Sequence, residues 1–218
     1  EIQYAKQHCT SPIIASIFAS TKKEFGEVAK AVSKAKPDLI EVNISCPNVE
    51  SEFGKPFGTD PKISAEVTKE VKKSTKIPII IKLSPNVSSI AEIATSVVKA
   101  GADAINAINT VGPGMVISID ARKPILSNKR GGVSGPAIKP IAVRCVYDIY
   151  EATKGKIPII GTGGVTYGWD AVEMMMAGAS AVGIGTAVHY RGIDVFKKIR
   201  MEINDFMEKE GYSLIKDM

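Results

Sequence analysis

The sequence predicts an α/β protein whose parallel strands alternate with helices, and three observations predict it. Short runs rich in Ile and Val recur along the 218 residues, with amphipathic helix-period segments between them. The segments also echo one another. "KIPII" opens a strand at Lys76 and again at Lys156, while "AGADAI" from Ala100 and "AGASAV" from Ala177 each lead a helix end into the next strand. Finally, the paired glycines fall late, in "GTGG" (Gly161 to Gly164) and "GIGT" (Gly183 to Thr186), after the last two strand-like runs. An open dinucleotide-binding sheet carries its glycine fingerprint after the first strand. Barrels of βα units instead hold phosphate after strands seven and eight. The expected fold is therefore a (β/α)8 TIM barrel, in a single domain over 1–218.

Taken in order, the strand-like runs are "PIIASIF", "LIEVNIS", "IPIIIKLS", "AINAINT", "IPIIGTGG" and "AVGIGT", each bounded by turn residues. The opening "EIQYAKQHCTSPIIASIF" reads as entering a strand almost at once. The clearest helix starts at Ser89, which has capping-box spacing to Glu92. Its Ile90, Ile93, Ala94, Val97 and Val98 fall on one face, and Gly101 stands where a C-cap is expected. About six strands are found where a closed barrel needs eight. The run near Ile13–Phe18 would be the third and that near Ala181–Ile184 the eighth. These two are expected not to pair, leaving a gap, and the chain reads as a truncated copy of a longer barrel.

Composition excludes several classes. The chain is 44% hydrophobic and 23% charged, as ordinary globular proteins are. No apolar run approaches the ~20 residues of a membrane span, and no signal-peptide pattern opens the chain, so a cytoplasmic protein without membrane contact is expected. The net charge of +5 comes from lysines scattered over solvated helix faces such as "KEVKKSTK". There is no basic stripe with interleaved aromatics, which argues against nucleic acid. Cys9, Cys46 and Cys145 show neither CxxC spacing nor a companion His cluster, which argues against a metal and against a disulfide framework.

Catalytic groups of βα barrels sit at the C-terminal ends of strands. In "LIEVNIS", period-2 alternation sends Ile40, Val42 and Ile44 to the helix-packed exterior, and Glu41, Asn43 and Ser45 inward. Asn43 then faces the mouth, with Cys46 just beyond and Pro47 holding the turn. Lys82 ends "IIIKLS" in the same way, placed either to snorkel at a strand end or to meet developing negative charge. Asn109 and Thr110 close "AINAINT" as a polar strand terminus or as binding groups. Taken alone, Cys46 also fits a buried structural thiol, which is the reading for Cys9 and for Cys145 in its apolar helix. The glycine turns let backbone N–H groups approach an anion, and "GIGT" leads into a helical region. "RGGVSGPAIKP" is placed to close over the same side.

In this order, "NISCPN", "IKLSPN", "INTVGPGM", "NKRGGVSGPAIKPIAVRCVYDI" and "IPIIGTGGV…AGASAVGIGTAV" resemble the dihydroorotate dehydrogenase family, over Pro12 to about Gly192. "SCPN", "FGTDP" and "GGVSGPAIKP" are similar to its heteromeric class 1B branch. The resemblance implies FMN as cofactor, and Cys46 as the base that takes a proton from C5 of dihydroorotate while hydride passes from C6 to the flavin. It implies that Asn43, Asn48, Asn109 and Thr110 hold the pyrimidine. Lys82 would interact with the isoalloxazine and stabilise the reduced, anionic flavin. Asn43, Ile108, Gly135, Gly163, Gly164, Gly185 and Thr186 would complete the cofactor site, and Ser16 stands near the flavin where relatives often have asparagine. A homodimer is implied, together with an electron-transfer subunit carrying FAD and a 2Fe-2S cluster that passes electrons to NAD. Two alternatives stay open: another FMN-dependent pyrimidine oxidoreductase similar to dihydropyrimidine dehydrogenase, and a non-catalytic barrel that binds a phosphorylated ligand.

Overall fold

The computed structural model describes residues 1–45 and 57–218. It opens with helix α1 (Ile2–His8), not with the early strand expected from sequence. The correction has a local cause. Seven residues without Gly or Pro can wind into a helix, and Thr10, Ser11 and Pro12 then stop it. No residue of α1 is buried, and the Lys6 ammonium ties it to the body by donating to the Lys36 carbonyl and the Asp38 carboxylate, each at 2.9 Å.

Strand β1 (Ile14–Ile17) leads through α2 (Lys22–Ser33) to β2 (Leu39–Asn43), and α3 (Pro61–Ser74) leads to β3 (Ile79–Leu83). Helix α4 (Ile90–Lys99) precedes β4 (Ala104–Ala107). Four short strands follow: β5 (Val111–Gly114), β6 (Ile117–Ser118), β7 (Lys123–Pro124) and β8 (Gly131–Val133). The regular alternation then resumes with α5 (Lys139–Thr153), β9 (Ile159–Thr162), α6 (Gly168–Met176) and β10 (Ala181–Gly183), closing on α7 (Ala187–Arg191) and α8 (Val195–Glu210).

The helix starts are written in the sequence. Thr21 and Glu24 form both arms of a capping box on α2, and Asp60 accepts from the Lys62 and Ile63 amides ahead of Pro61 on α3. Ser89 accepts from Glu92 N on α4, as its spacing predicts. At the other end of α4 the cap is Ala100. Gly101 follows it with φ +105°, a conformation glycine takes without steric cost.

The main sheet has six parallel strands in the order β1-β2-β3-β4-β9-β10. Its ends are β1 and β10, and among the described residues they do not pair with each other, as the strand count predicts. The sheet is thus the open arc of a βα barrel. Side chains alternate across it. Ile40, Val42, Ile79, Ile81, Ile105 and Ile159 are fully buried beneath the helices. Glu41, Asn43, Ile80, Lys82, Asn106 and Thr162 occupy the opposite, inward face that carries the site. Near the β1 edge the inner side is open to water: Ile14 is 46% and Phe18 62% exposed.

Two antiparallel pairs, β5 with β8 and β6 with β7, lie between β4 and α5 and were not anticipated. They are two to four residues long and rich in Gly and Pro, so no period could reveal them. They bear exposed apolar side chains, among them Val116, Ile117, Ile119 and Ile125. Among the described residues no helix is long and apolar enough to cross a membrane.

Candidate active site

A cleft opens at the C-terminal ends of β3, β4, β9 and β10. It gathers Lys82, Ile108, Asn109, Thr110, Gly135, Gly163, Gly164, Gly185 and Thr186, every one a position singled out in the sequence. Asn43 lies beside it. Cys46 and Asn48 fall outside the described residues, so the structure gives no position for the expected base or for the second asparagine of "NISCPN".

The groups at the floor are set by strand register. Asn43 is the Cα partner of Lys82, and Lys82 of Asn106, so three polar inward residues stand side by side. Asn43 and Asn109 are joined through Ser45. Asn109 Nδ2 donates to Ser45 Oγ at 2.8 Å, and Ser45 Oγ donates to Asn43 Oδ1 at 2.8 Å. Asn109 Oδ1 accepts from the Thr110 backbone N–H at 2.8 Å. These contacts fix the amide planes before any ligand arrives, which lowers the ordering cost of binding. Asn86 of "SPN" latches the next turn, donating to the Thr110 carbonyl at 3.1 Å and accepting from Gly112 N at 3.0 Å. Neither Ser45 nor Asn86 was assigned a role from sequence, because the contacts that bring them to the site, with Asn109 for Ser45 and with Thr110 and Gly112 for Asn86, are remote in the chain.

Beneath the cleft runs a polar ladder across five strands. Ser16 Oγ donates to Glu41 Oε1 at 2.7 Å, Asn106 Nδ2 donates to Glu41 Oε2 at 2.5 Å, and Thr162 Oγ1 donates to Asn106 Oδ1 at 2.7 Å. Lys82 Nζ stands 3.8 Å from Glu41 Oε1. Glu41 is only 8% exposed, so its charge needs these partners. Its inward position was readable from the alternation of "LIEVNIS", yet an acidic residue there drew no functional reading.

The two glycine turns behave differently. Gly163 has φ +134°, and a Cβ there would lie 2.8 Å from Ala142 Cβ. At Gly164, with φ +78°, a Cβ would lie 2.9 Å from Lys139 N. Both therefore need glycine to let the start of α5 pack close, beyond any anion they meet. Gly185 is the opposite case: a Cβ there meets no atom within 4 Å, and the residue lines the cleft. The helix expected after "GIGT" is the five-residue α7, too short to add more than the unpaired N–H groups of one turn. "RGGVSGPAIKP" does border this side: Ser134 and Gly135 line the cleft, and Thr186 Oγ1 donates to Ser134 Oγ at 3.1 Å.

Two ion pairs brace the turns from behind. Asp170 is 5% exposed, and its Oδ2 accepts from Thr166 N at 3.0 Å and Tyr167 N at 2.8 Å, while Lys139 Nζ donates to Oδ1 at 2.8 Å. The hydrogen bond from Lys139 to Asp170, with another to Glu173, raises the Lys139 pKa above its ordinary value. Arg191 donates to the Thr166 carbonyl at 2.8 Å and to Glu202 Oε1 at 2.6 Å. That contact holds the Glu202 carboxyl below the usual range, with burial opposing and the Gly168 N–H assisting. Cys145 is fully buried and its thiol is pushed up by burial, in keeping with a structural role, while Cys9 is exposed. Among the described residues no group of His, Cys, Asp and Glu could hold a metal.

A parallel βα arc with a cleft over its C-terminal strand ends, glycine turns on one side and a cation with paired amides on the other, defines a protein of the βα-barrel class. The family model described as dihydroorotate dehydrogenase matches residues 1–207, and the chain belongs to that family. Proteins described as dihydroorotate dehydrogenase B (NAD(+)), catalytic subunit, are similar to it. That of Methanosarcina acetivorans is 47% identical over 213 residues, 98% of this chain and 67% of the relative. That of Methanocaldococcus jannaschii is 52% identical over 202 residues, 93% and 64%. That of Pyrococcus abyssi is 46% identical over 216 residues, 99% and 71%. Among solved structures, ligand-free DHODH from Eimeria tenella superposes with a TM-score of 0.75 at 22% identity, over 90% of this chain and 58% of the other, which shows the shared fold. The chain thus spans about two thirds of the length of its curated relatives.

Proposed function

We propose that this chain is the catalytic part of a dihydroorotate dehydrogenase, oxidising dihydroorotate to orotate in pyrimidine biosynthesis. Family membership implies a flavin, and the cofactor proposed is FMN. The observation that carries the reading is the cleft itself, which sets Lys82, Asn109 and Thr110 against Gly163, Gly164, Gly185 and Thr186. The residues fit such a group: the Cβ-free space at Gly185 leaves room for a phosphate, and Lys82 supplies a cation at the opposite end. When bound, FMN would accept the hydride that leaves C6 of the substrate.

The chain's own residues do the rest. Asn43 and Asn109, locked together through Ser45, present amides to a planar ring rich in hydrogen-bonding groups, with Thr110 next to Asn109; Asn48, outside the described residues, is proposed for the same task. Lys82 offers positive charge where negative charge builds, which favours the transition state over the bound substrate. The Cys46 thiolate takes the C5 proton. A free thiol ionises near pH 8.5, within reach of proton abstraction at neutral pH.

A homodimer working with an electron-transfer subunit that carries FAD and a 2Fe-2S cluster, and delivers electrons to NAD, belongs to the same proposal. It is supported by the relatives' descriptions as NAD(+)-linked catalytic subunits and by the exposed apolar residues on the β6–β7 hairpin, a surface of the kind partners cover. The test is spectroscopic. The purified protein should show a flavin spectrum, release FMN on denaturation, and bleach anaerobically with dihydroorotate but not with dihydrouracil. Failure to take up added FMN would overturn the reading. Bleaching by dihydrouracil instead would assign it to the related pyrimidine reductases.

A further inference from the structure

Among the described residues, Glu41 is the one buried carboxylate of the inner face that the proposed chemistry does not use. It sits one strand away from Lys82, which lines the cleft. Both its oxygens are already committed, Oε1 to Ser16 and Oε2 to Asn106, so it is held still from two sides. The 3.8 Å separation from Lys82 Nζ makes the pair ionic and not hydrogen-bonded, so the hydrogens of the ammonium are not spent on this carboxylate. Side-chain exposure falls from 22% at Lys82 to 11% at Glu41. The cation faces the cleft and its counter-charge lies below. At this depth solvent screens the pair weakly.

We propose that Glu41 is a positioning residue that acts on the cleft through Lys82, holding the ammonium at the floor and offsetting part of its charge, and so setting how strongly the site favours a reduced flavin. This rests on the FMN reading above. The ladder supports it, because Ser16, Asn106 and Thr162 immobilise the carboxylate and leave its orientation independent of the ligand. A polar residue needed only to fill space would not require a charge, which must be neutralised when buried.

The test is the midpoint potential of the bound flavin, measured by equilibration with reference dyes, in the protein loaded with FMN. Glu41→Gln keeps the side-chain shape. It can still accept from Asn106, and Ser16 can turn its hydroxyl to accept from the new amide, so only the charge is lost. The expected result is a rise in potential, because Lys82 is no longer offset. In a Lys82→Met background the same change should move the potential by less than half as much. If Glu41→Gln does not fold, Ser16→Ala serves instead: it frees Oε1 to swing toward Lys82, and the potential should fall. An unchanged or opposite shift overturns the proposal, as does an equal shift in the presence and absence of Lys82. A parent that takes up no FMN would sink the functional reading itself, a result distinct from a flavin-loaded variant of unchanged potential.

Discussion

Asp170 joins the glycine turn after β9 to the starts of both α5 and α6, and its removal should cost more than a surface carboxylate does. Asp170→Ala strips the acceptor from the Thr166 and Tyr167 amides, and Thr166 is only 6% exposed. A buried donor left unpaired costs about 1–3 kcal/mol, and two such donors, one of them partly wetted, give roughly 3 kcal/mol. Lys139 keeps its second partner Glu173 at 2.6 Å, so no stranded cation is added to that sum. Asp170→Asn retains a carbonyl oxygen for both amides and loses only the ion pair and the charge at the helix start, about 1 kcal/mol. In a protein of this size each kcal/mol moves the melting temperature by about 2–4 °C. The alanine variant should therefore melt roughly 6–12 °C below the parent, and the asparagine variant about 2–4 °C below, in calorimetry at neutral pH. Val165 and Thr166 line the cleft, so FMN affinity should fall in the same order. An alanine variant within about 2 °C of the parent, or an asparagine variant equally harmed, would refute the claim that the two amides carry the cost.

Gly163→Ala should destabilise by roughly 2–3 kcal/mol, from positive φ and the approach to Ala142, whereas Gly185→Ala should leave chemical stability unchanged and weaken FMN binding several-fold; denaturant titration with a fluorescence binding assay reads both. Glu202 has its folded pKa below the ordinary value of 4.5, so its contribution is complete above that pH and disappears as pH falls through the folded value. Urea unfolding from about pH 3 to 7 should accordingly show a shallower acid loss for Glu202→Gln than for the parent. Cys46→Ser should retain FMN yet slow flavin reduction by dihydroorotate by several orders of magnitude in stopped flow, since an unactivated hydroxyl is a far weaker base; near-normal reduction would remove Cys46 from the mechanism.

What the sequence made legible was whatever obeys a local period. Alternation in "LIEVNIS" sorted Ile40 and Val42 from Glu41 and Asn43 correctly, and Ser89 with Glu92 marked the start of α4. The edges β1 and β10 were foreseen from a strand count alone. What escaped was non-local or aperiodic. Glu41 and Asn106 are 65 positions apart, and Lys139 and Asp170 are 31 apart, so neither contact has a signature in one sequence. Asp170 stands in the first turn of α6, where a negative charge complements the helix dipole. It is also the acceptor that closes the turn and the anchor of Lys139. Gly163 and Gly164 carry a second task that no local pattern shows: besides lining the cleft, they make way for the first turn of α5.

The open sheet gives the inner ladder a direction. It starts at Ser16 on edge strand β1, where neighbouring Ile14 and Phe18 are wet, and ends at Thr162 between the cleft and the covered strands. Glu41 and Lys82 stand one and two strands in from that edge. A charge pair couples more strongly as water is excluded, the effective dielectric falling from about 80 toward about 20. Anything that pairs with the free backbone groups of β1 and covers Ser16 would therefore tighten the hold of Glu41 on Lys82 without touching either residue. Edge strands with unpaired N–H and C=O groups recruit such cover readily. The electrostatics of the cleft and the closure of the sheet are, by this route, one property: a strand added beside β1 would also complete the dielectric around the inward-facing ion pair of Glu41 and Lys82.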